Sequence, residues 1–532
     1  MGGLLATEKL IIGLLLIISL VAMAIRQFRI PYTVALVLIG LLIASWSPLN
    51  FELTPELILA LFVPPLVFEA AFHISFNELR RNLPGILLLA VPGVIITTLV
   101  VGGIVKLGTS LDFSVALVFG ALIAATDPVA VVALFRALGV PKRLAVLVES
   151  ESLFNDGTAI VIFNLMIAIG LTGRFNLAGS VASFIIVAAG GILIGSALGW
   201  VVSRLIARVD DYLIETTLTT VLAFGSYLIA EEFHVSGVLA VVAAGLINGN
   251  ISPRGMSPTT RIVLFNFWEY VAFLANSLIF LLIGLKVDLA AILAAWQPIL
   301  IAILAVLVAR AMVVYGLSWL VNRVAEPIPV KWQHVINWGG LRGAIGLALA
   351  LSLPISLGSQ RDLLIDMAFG VVLFTLLVQS TTMRPLIRSL GIGIRSQSQI
   401  EYETRLARLT SLQAAGNHMD RQHQDGLIST DTWNRIKKTL GWQIDAATDS
   451  VREIVNEEPT LENKENETIR REVLRARRSA LFDLHHDGAI SQDVLERLIA
   501  EVDTALPEES KPLSEDKKLE PSSDIDSKEQ DK

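Results

Sequence analysis

Cysteine is absent from the 532 residues, which excludes disulfides, thiolate metal sites and cysteine nucleophiles. Charge is scarce too. Asp, Glu, Lys and Arg make up 17% of the chain, where a soluble protein of this length carries about a quarter. The hydrophobic share is 53% and the mean hydropathy +0.64, so the deficit marks a membrane protein. The N-terminal text MGGLLATEKLIIGLLLIISLVAMAI lacks a basic leader and a convincing small-residue cleavage site. It reads as a retained first span, not a removed signal peptide. No HExxH, GxSxG or paired His stands within the apolar runs, so a membrane-embedded enzyme is not expected. No loop resembles a selectivity filter either, which argues against a channel. The formal charge of −7 names no partner, because the acidic excess need not lie in the membrane part.

What is present is a series of long apolar runs. A spanning helix needs roughly 20 mostly apolar residues, and thirteen such spans are expected. They fall at 9–25, 30–46, 57–73, 84–105, 113–136, 144–171, 178–207, 212–230, 235–249, 262–285, 290–321, 334–353 and 363–383. An odd count puts the termini on opposite sides, and the loop charges test this. With the N-terminus outside, the inner side collects Arg26, Arg29, Arg80, Arg81, Arg136, Lys142, Arg143, Arg204, Arg208, Arg254, Arg261, Arg323, Lys331, Arg384, Arg388 and Arg395. The outer side keeps Lys9, Lys106, Arg174, Lys286 and Arg361. Sixteen against five supports an integral protein of the plasma (inner) membrane with a cytoplasmic C-terminus.

The expected organisation is a membrane domain over 1–390, a helical cytoplasmic tail over 391–504 and a disordered end over 505–532. The tail has helical periodicity with charges on one face. DGLIST and DGAISQ repeat a turn-plus-cap signal and are expected to mark helix joints. The end, PEESKPLSEDKKLEPSSDIDSKEQDK, is Pro-, Ser- and charge-rich. His418, His423, His485 and His486 offer pH sensing or metal binding, but their scatter favours neither.

Charges at membrane depth carry the functional signal, because an ionised group in hydrocarbon is costly and is kept where it has work to do. Glu69 follows the Pro64–Pro65 pair in LFVPPLVFEAAF; Thr126, Asp127 and Pro128 interrupt FGALIAATDPVAVVALF. ESESLFNDGTAIVIF places Glu149, Glu151, Ser152, Asn155 and Asp156 in the sixth span, with Arg310 and Arg342 further on. Ser152 and Asp156 are i,i+4 and share a helix face. Glu151 and Asn155 share another, turned by about 100°. Asp156 with Ser152 can therefore line a site while Glu151 turns to a structural partner. The TDP text removes a backbone donor, and GGLRG at 339–343 weakens helix with three glycines. Broken helices at depth are tolerated where they line a cavity, and their freed carbonyls can coordinate a cation. If spans 1–6 and 8–13 are two repeats, spans 5 and 12 are equivalent members of an inverted pair. Each residue alone has a bland reading: an Asp or Arg can be a folding pair, Glu149 can simply be hydrated, and a proline can be only a kink. The combination favours function.

At these residues the sequence resembles the NhaP/NHE-type sodium:proton antiporters. The blocks that carry the resemblance are PPLVFEAAF at 64–72, ATDPVAVVAL at 125–134, ESESLFNDGTAIVIF at 149–163 and GGLRGAIGLALAL at 339–351. They cover the membrane domain and not the tail. The resemblance implies an all-α fold of about thirteen spans, a mobile core domain, a dimer-interface domain and an ion site beside crossing broken helices. It implies Asp156 as the ion- and proton-binding carboxylate, Thr126 and Ser152 as oxygen ligands for Na+, and Glu69 as ligand or gate. Asn155 occupies the place that decides between an Asn-Asp and an Asp-Asp motif. Asp127 neighbours the broken segment, Glu151 and Arg342 form an ion pair holding the core, and Arg310 has a structural or pH-response role. The implied activity is exchange of Na+, or Li+, for H+ by a homodimer in the bilayer, electroneutral because Asn155 cannot ionise. Potassium in place of sodium is the alternative. Neither a cofactor nor a nucleic-acid partner is expected.

Overall fold

The computed structural model describes residues 2–25, 31–46, 58–172, 176–209, 211–252, 258–286, 289–392 and 397–457, with isolated positions between 477 and 498. Arg26, Arg29, Arg174, Arg254, Arg395, His485 and His486, the second Asp-Gly turn at 487–488, and the segment 505–532 lie outside the described residues. The chain divides into two compact units, Met1–Ile394 and Arg395–Lys532.

The first unit is built from helices alone among the described residues. It opens with α1 (Gly2–Ile25) and α2 (Tyr32–Trp46). A π-helical turn at Ile58–Phe62 then leads into α3 (Val63–His73), with Pro64 and Pro65 in its first turn. There follow α4 (Phe76–Gly108), α5 (Phe113–Leu122), α6 (Val129–Leu138), α7 (Lys142–Thr172) and α8 (Leu177–Ile206). Next come α9 (Tyr212–Glu232), α10 (Gly237–Ile251), α11 (Pro258–Lys286), α12 (Leu289–Ala294) and α13 (Trp296–Val324). The unit ends with α14 (Val330–Trp338), α15 (Ala344–Leu351), α16 (Ser359–Phe374) and α17 (Ser380–Ser389). Side-chain caps fix several starts: Asp211 accepts from Leu213 and Ile214 amides, and Ser236 from that of Leu239.

Each of the thirteen expected runs coincides with a helix or an interrupted pair of helices. By length and composition, seven described helices can cross a membrane. The expected single run at 290–321 is instead a short α12 followed by α13. Apolar side chains such as Ile186 (65% exposed) and Leu193 (69% exposed) on α8 stand on the outside, a surface suited to hydrocarbon. The densest packing falls into two groups. One gathers α5, α7 and α13 around α4; the other joins α8, α9 and α3 to α10 and α2 to α11.

In the second unit, α18 (Gln397–Gln424) and α19 (Thr430–Glu457) form a hairpin. Tyr402, Val451 and Ile454 make its small core. The first Asp-Gly signal is the joint: Gly426 has φ +72°, the left-handed conformation glycine adopts without strain. Ser429 then accepts from the Thr432 amide at the start of α19.

Candidate functional site

Two interrupted helices meet at the centre of the membrane unit. The first breaks between Leu122 and Val129, the second between Trp338 and Ala344. Backbone groups freed by each break find partners in the other. The Asp127 amide donates to the Leu341 carbonyl at 2.8 Å. The Arg342 guanidinium donates to the carbonyls of Ala124 at 2.7 Å and Ala125 at 3.2 Å. The Arg342 amide donates to Thr375 Oγ1, in a π-helical turn at Thr375–Gln379 between α16 and α17.

The glycines of GGLRG have a steric reason as well as a conformational one. A Cβ at Gly340 would lie 2.7 Å from Arg310 Nε, and one at Gly343 would overlap the Asp127 side chain. The break thus leaves room for an arginine on one side and an aspartate on the other.

On α7, Glu151 is 1% exposed and pairs with Arg310, whose guanidinium donates at 2.7 Å and 3.1 Å to the two carboxylate oxygens. Arg310 also donates to the Ile336 carbonyl at 3.2 Å. The expected Glu151–Arg342 ion pair is therefore corrected: Glu151 takes its two charge-assisted bonds from Arg310, while Arg342 caps the first break. The physical reason is that α13 delivers Arg310 to Glu151 past Gly340, whereas two orphan carbonyls already claim Arg342.

The remaining residues of the motif are linked in series. Thr126 Oγ1 donates to Ser152 Oγ at 3.0 Å. The Asn155 amide donates to Thr126 Oγ1 at 3.3 Å and to Glu151 Oε1 at 3.4 Å, leaving its own Oδ1 buried with no hydrogen-bond partner. Asp127 Oδ1 accepts the Val129 amide at 2.9 Å, which holds this carboxylate at the start of α6.

A cavity of about 70 Å³ lies against the first break. Thr126, Asp127, Glu149 and Asp156 line it from the first packing group; Leu66 of α3 and Asn276 of α11 line it from the second. Asp156 has no ion pair among the described residues and is 8% exposed. Ser152 and Asn155 stand behind Thr126 and are not on the cavity wall. Glu69 is not there either. It lines a larger cavity of about 640 Å³, together with Glu269, Arg136, Arg384 and Arg388, and its carboxylate lies 3.3 Å from His73 Nδ1. Sequence reasoning missed Asn276 and Glu269. Asn276 left only the weak signal of an amide inside VAFLANSLIFLLIGL, and Glu269 that of an acid after two aromatics.

Comparison with known proteins gives the lineage of this arrangement. Residues 13–389 match the family described as "Sodium/hydrogen exchanger, transmembrane". The chain is 40% identical over 480 residues to the Na(+)/H(+) antiporter ApNhaP of Aphanothece halophytica, covering 89% of this chain and 91% of that one. That likeness is longer than the membrane domain, so similarity to a relative extends into the tail, which the resemblance of the motifs did not reach. It is 39% identical over 396 residues to the Na(+)/H(+) antiporter NhaH of Halobacillus dabanensis, covering 71% of this chain and 97% of that one. Among solved structures, the sodium proton antiporter MjNhaP1 of Methanocaldococcus jannaschii superposes with a TM-score of 0.61 at 23% identity, over 73% of this chain and 99% of that one. That likeness shows a shared fold. These relatives are named for sodium, so the potassium alternative draws no support from them.

Proposed function

The chain belongs to the sodium/hydrogen exchanger family, and on that premise we propose that it exchanges Na+, or Li+, for H+ at Asp156 by alternating access. The observation that carries this reading is the contrast on α7: Glu151 is neutralised by Arg310, whereas Asp156 lines a cavity with no arginine bonded to it. An unpaired carboxylate can hold a proton or a cation, and the two compete for it. Sodium is a hard cation that takes oxygen ligands. The Asp156 carboxylate supplies one at the wall; Thr126 lines the wall too, with its hydroxyl turned to Ser152 and Asn155. Ser152 and the unpartnered Asn155 Oδ1 stand one bond behind.

Exchange follows if only the loaded protein changes face. The small cavity lies between the two packing groups and adjoins the larger one, whose wall carries Arg136, Arg384 and Arg388. All three belong to the basic set assigned to the cytoplasm, which supports an inward-facing state with the N-terminus outside and thirteen crossings. The inverted repeat is supported by the equivalent breaks in the fifth and twelfth runs. Arg310 serves to neutralise Glu151, and Glu69 serves the larger cavity as a gate. A homodimer in the plasma membrane completes the reading. The tail acts as a regulator of transport, since no residue of the candidate site falls in it.

One titrating group at the motif supports one proton per sodium ion. Asn155 donates to Glu151, a place where a second carboxylate would meet a like charge. The test is sodium-driven proton flux in proteoliposomes, with lithium and potassium compared, and with and without an imposed potential. Asp156→Asn keeps the size but cannot hold an exchangeable proton, and is expected to abolish exchange while still inserting. Substantial flux from that variant sinks the site. A rate that follows the potential, worth about 2.3 kcal/mol per charge per 100 mV, sinks electroneutrality and points to Asp127.

A further inference from the structure

The two cavities share a neck. Leu66, Ala70, Pro128, Val129, Glu149 and Asn276 line both, and only the last two carry polar side chains. Asn276 is 7% exposed, and its side-chain amide makes no hydrogen bond among the described residues. Glu149 has neither a hydrogen bond nor an ion pair among them. Glu149 is half-buried, and both residues line the open space of the neck, where an arriving cation can take the place of water. Their geometry is ordered relative to the transport site. Glu149 and Asp156 are i,i+7 on α7, hence on one face and about 10 Å apart along the axis. Asn276 belongs to α11, in the other packing group.

We propose that Glu149 and Asn276 form a second, staging site for a monovalent cation, between the larger cavity and Asp156. A carboxylate and an amide carbonyl are hard oxygen donors, and the neck is where an arriving alkali cation first exchanges water for protein ligands. Glu149 concentrates cations at the entrance of the small cavity, and Asn276 replaces part of the hydration shell. Because the two residues come from different packing groups, the site is assembled in this arrangement and comes apart when the groups move. Loading is thereby tied to one face of the cycle. Both are positioning residues: they set how sodium reaches Asp156, not whether a proton leaves it.

This inference rests on Asp156 as the transport carboxylate, and the test separates the two. Sodium-induced dissipation of an imposed proton gradient is measured in everted vesicles at fixed pH for the parent, Glu149→Gln, Glu149→Asp and Asn276→Ala. Glu149→Gln is expected to raise the KM for sodium about tenfold, the low end of what a charged cleft gains by concentrating counter-ions, with kcat retained. Glu149→Asp should recover part of that loss, and Asn276→Ala should raise the KM and change the ratio of lithium to sodium affinity. A merely structural role would lower protein level or kcat and leave the KM and the ion ratio in place; that result overturns the proposal. Sites on two helices are varied so that failure of one variant to insert leaves the other decisive. If Asp156→Asn still exchanges, the transport site itself is wrong. If Asp156→Asn is inactive and the neck variants keep the parent KM, only the staging site falls.

Discussion

On one face of α7, Glu151 is enclosed with Arg310 in a fork of two charge-assisted bonds and shares a further one with Asn155. Five residues on, Asp156 faces a cavity opposite α3 and α11, with no counter-charge bonded to it. The two acids have the same chemistry and the same helix. Their difference is the partner, and on the function proposed above it separates structure from work. A carboxylate that already holds a guanidinium has little left for a passing ion, while one that borders a cavity can bind and release.

The sharpest way to break this contrast is to remove one partner from each face. Arg310→Ala leaves Glu151 as an uncompensated buried charge, which typically costs about 3–5 kcal/mol. Asp156→Asn removes a charge that had no partner and should cost far less. Thermal unfolding in detergent is expected to show Arg310→Ala well below both the parent and Asp156→Asn. Similar midpoints for the two variants would mean that the faces do not differ in this way. A double-mutant cycle sharpens it: Glu151 should couple strongly to Arg310 and only weakly to Arg342.

Much of this was legible in the sequence. The i,i+4 relations of ESESLFND placed Glu151 and Asp156 on different faces, and TDP and GGLRG marked both breaks, because missing donors and glycines act locally. The partner of Glu151 was not legible. Arg310 and Arg342 are both apolar-flanked arginines, and choosing between them depends on how three helices cross and on the Ala124 and Ala125 carbonyls that claim Arg342. Asn276 and the neck were hidden for the same reason. A cavity between packing groups is a property of their arrangement, and no local pattern encodes it.

A smaller effect is expected from filling the space beside the second break. In Gly343→Ala the new methyl would overlap the Asp127 side chain, and overpacking of this kind costs about 1–3 kcal/mol. The strain falls on the cavity face and not on the Glu151–Arg310 pair. The variant should therefore lose exchange activity out of proportion to its loss of stability, the reverse of Arg310→Ala. Transport in vesicles set against melting in detergent checks this, and parent-level exchange would show that Asp127 moves aside freely.

The smallest effect is expected where a carboxylate meets water. Asp420 in the tail accepts the Trp433 indole N–H at 2.8 Å, and Lys437 lies 3.4 Å away. The indole donor, with Lys437 adding to it, holds the Asp420 carboxyl below the usual carboxylate range. A group whose folded pKa is lowered contributes stability above its unfolded value, near pH 4 for aspartate. That contribution is lost as the pH falls through the lower folded value. Exposed pairs of this kind are screened and contribute little, unlike the enclosed pair on α7. Unfolding of the isolated segment 395–532, followed by circular dichroism, should show a midpoint that drops as the pH falls below the ordinary aspartate range, near pH 4. Trp433→Phe should remove part of that drop by taking away the donor. A Trp433→Phe segment with the parent's full pH response would show that the indole does not stabilise the charged form.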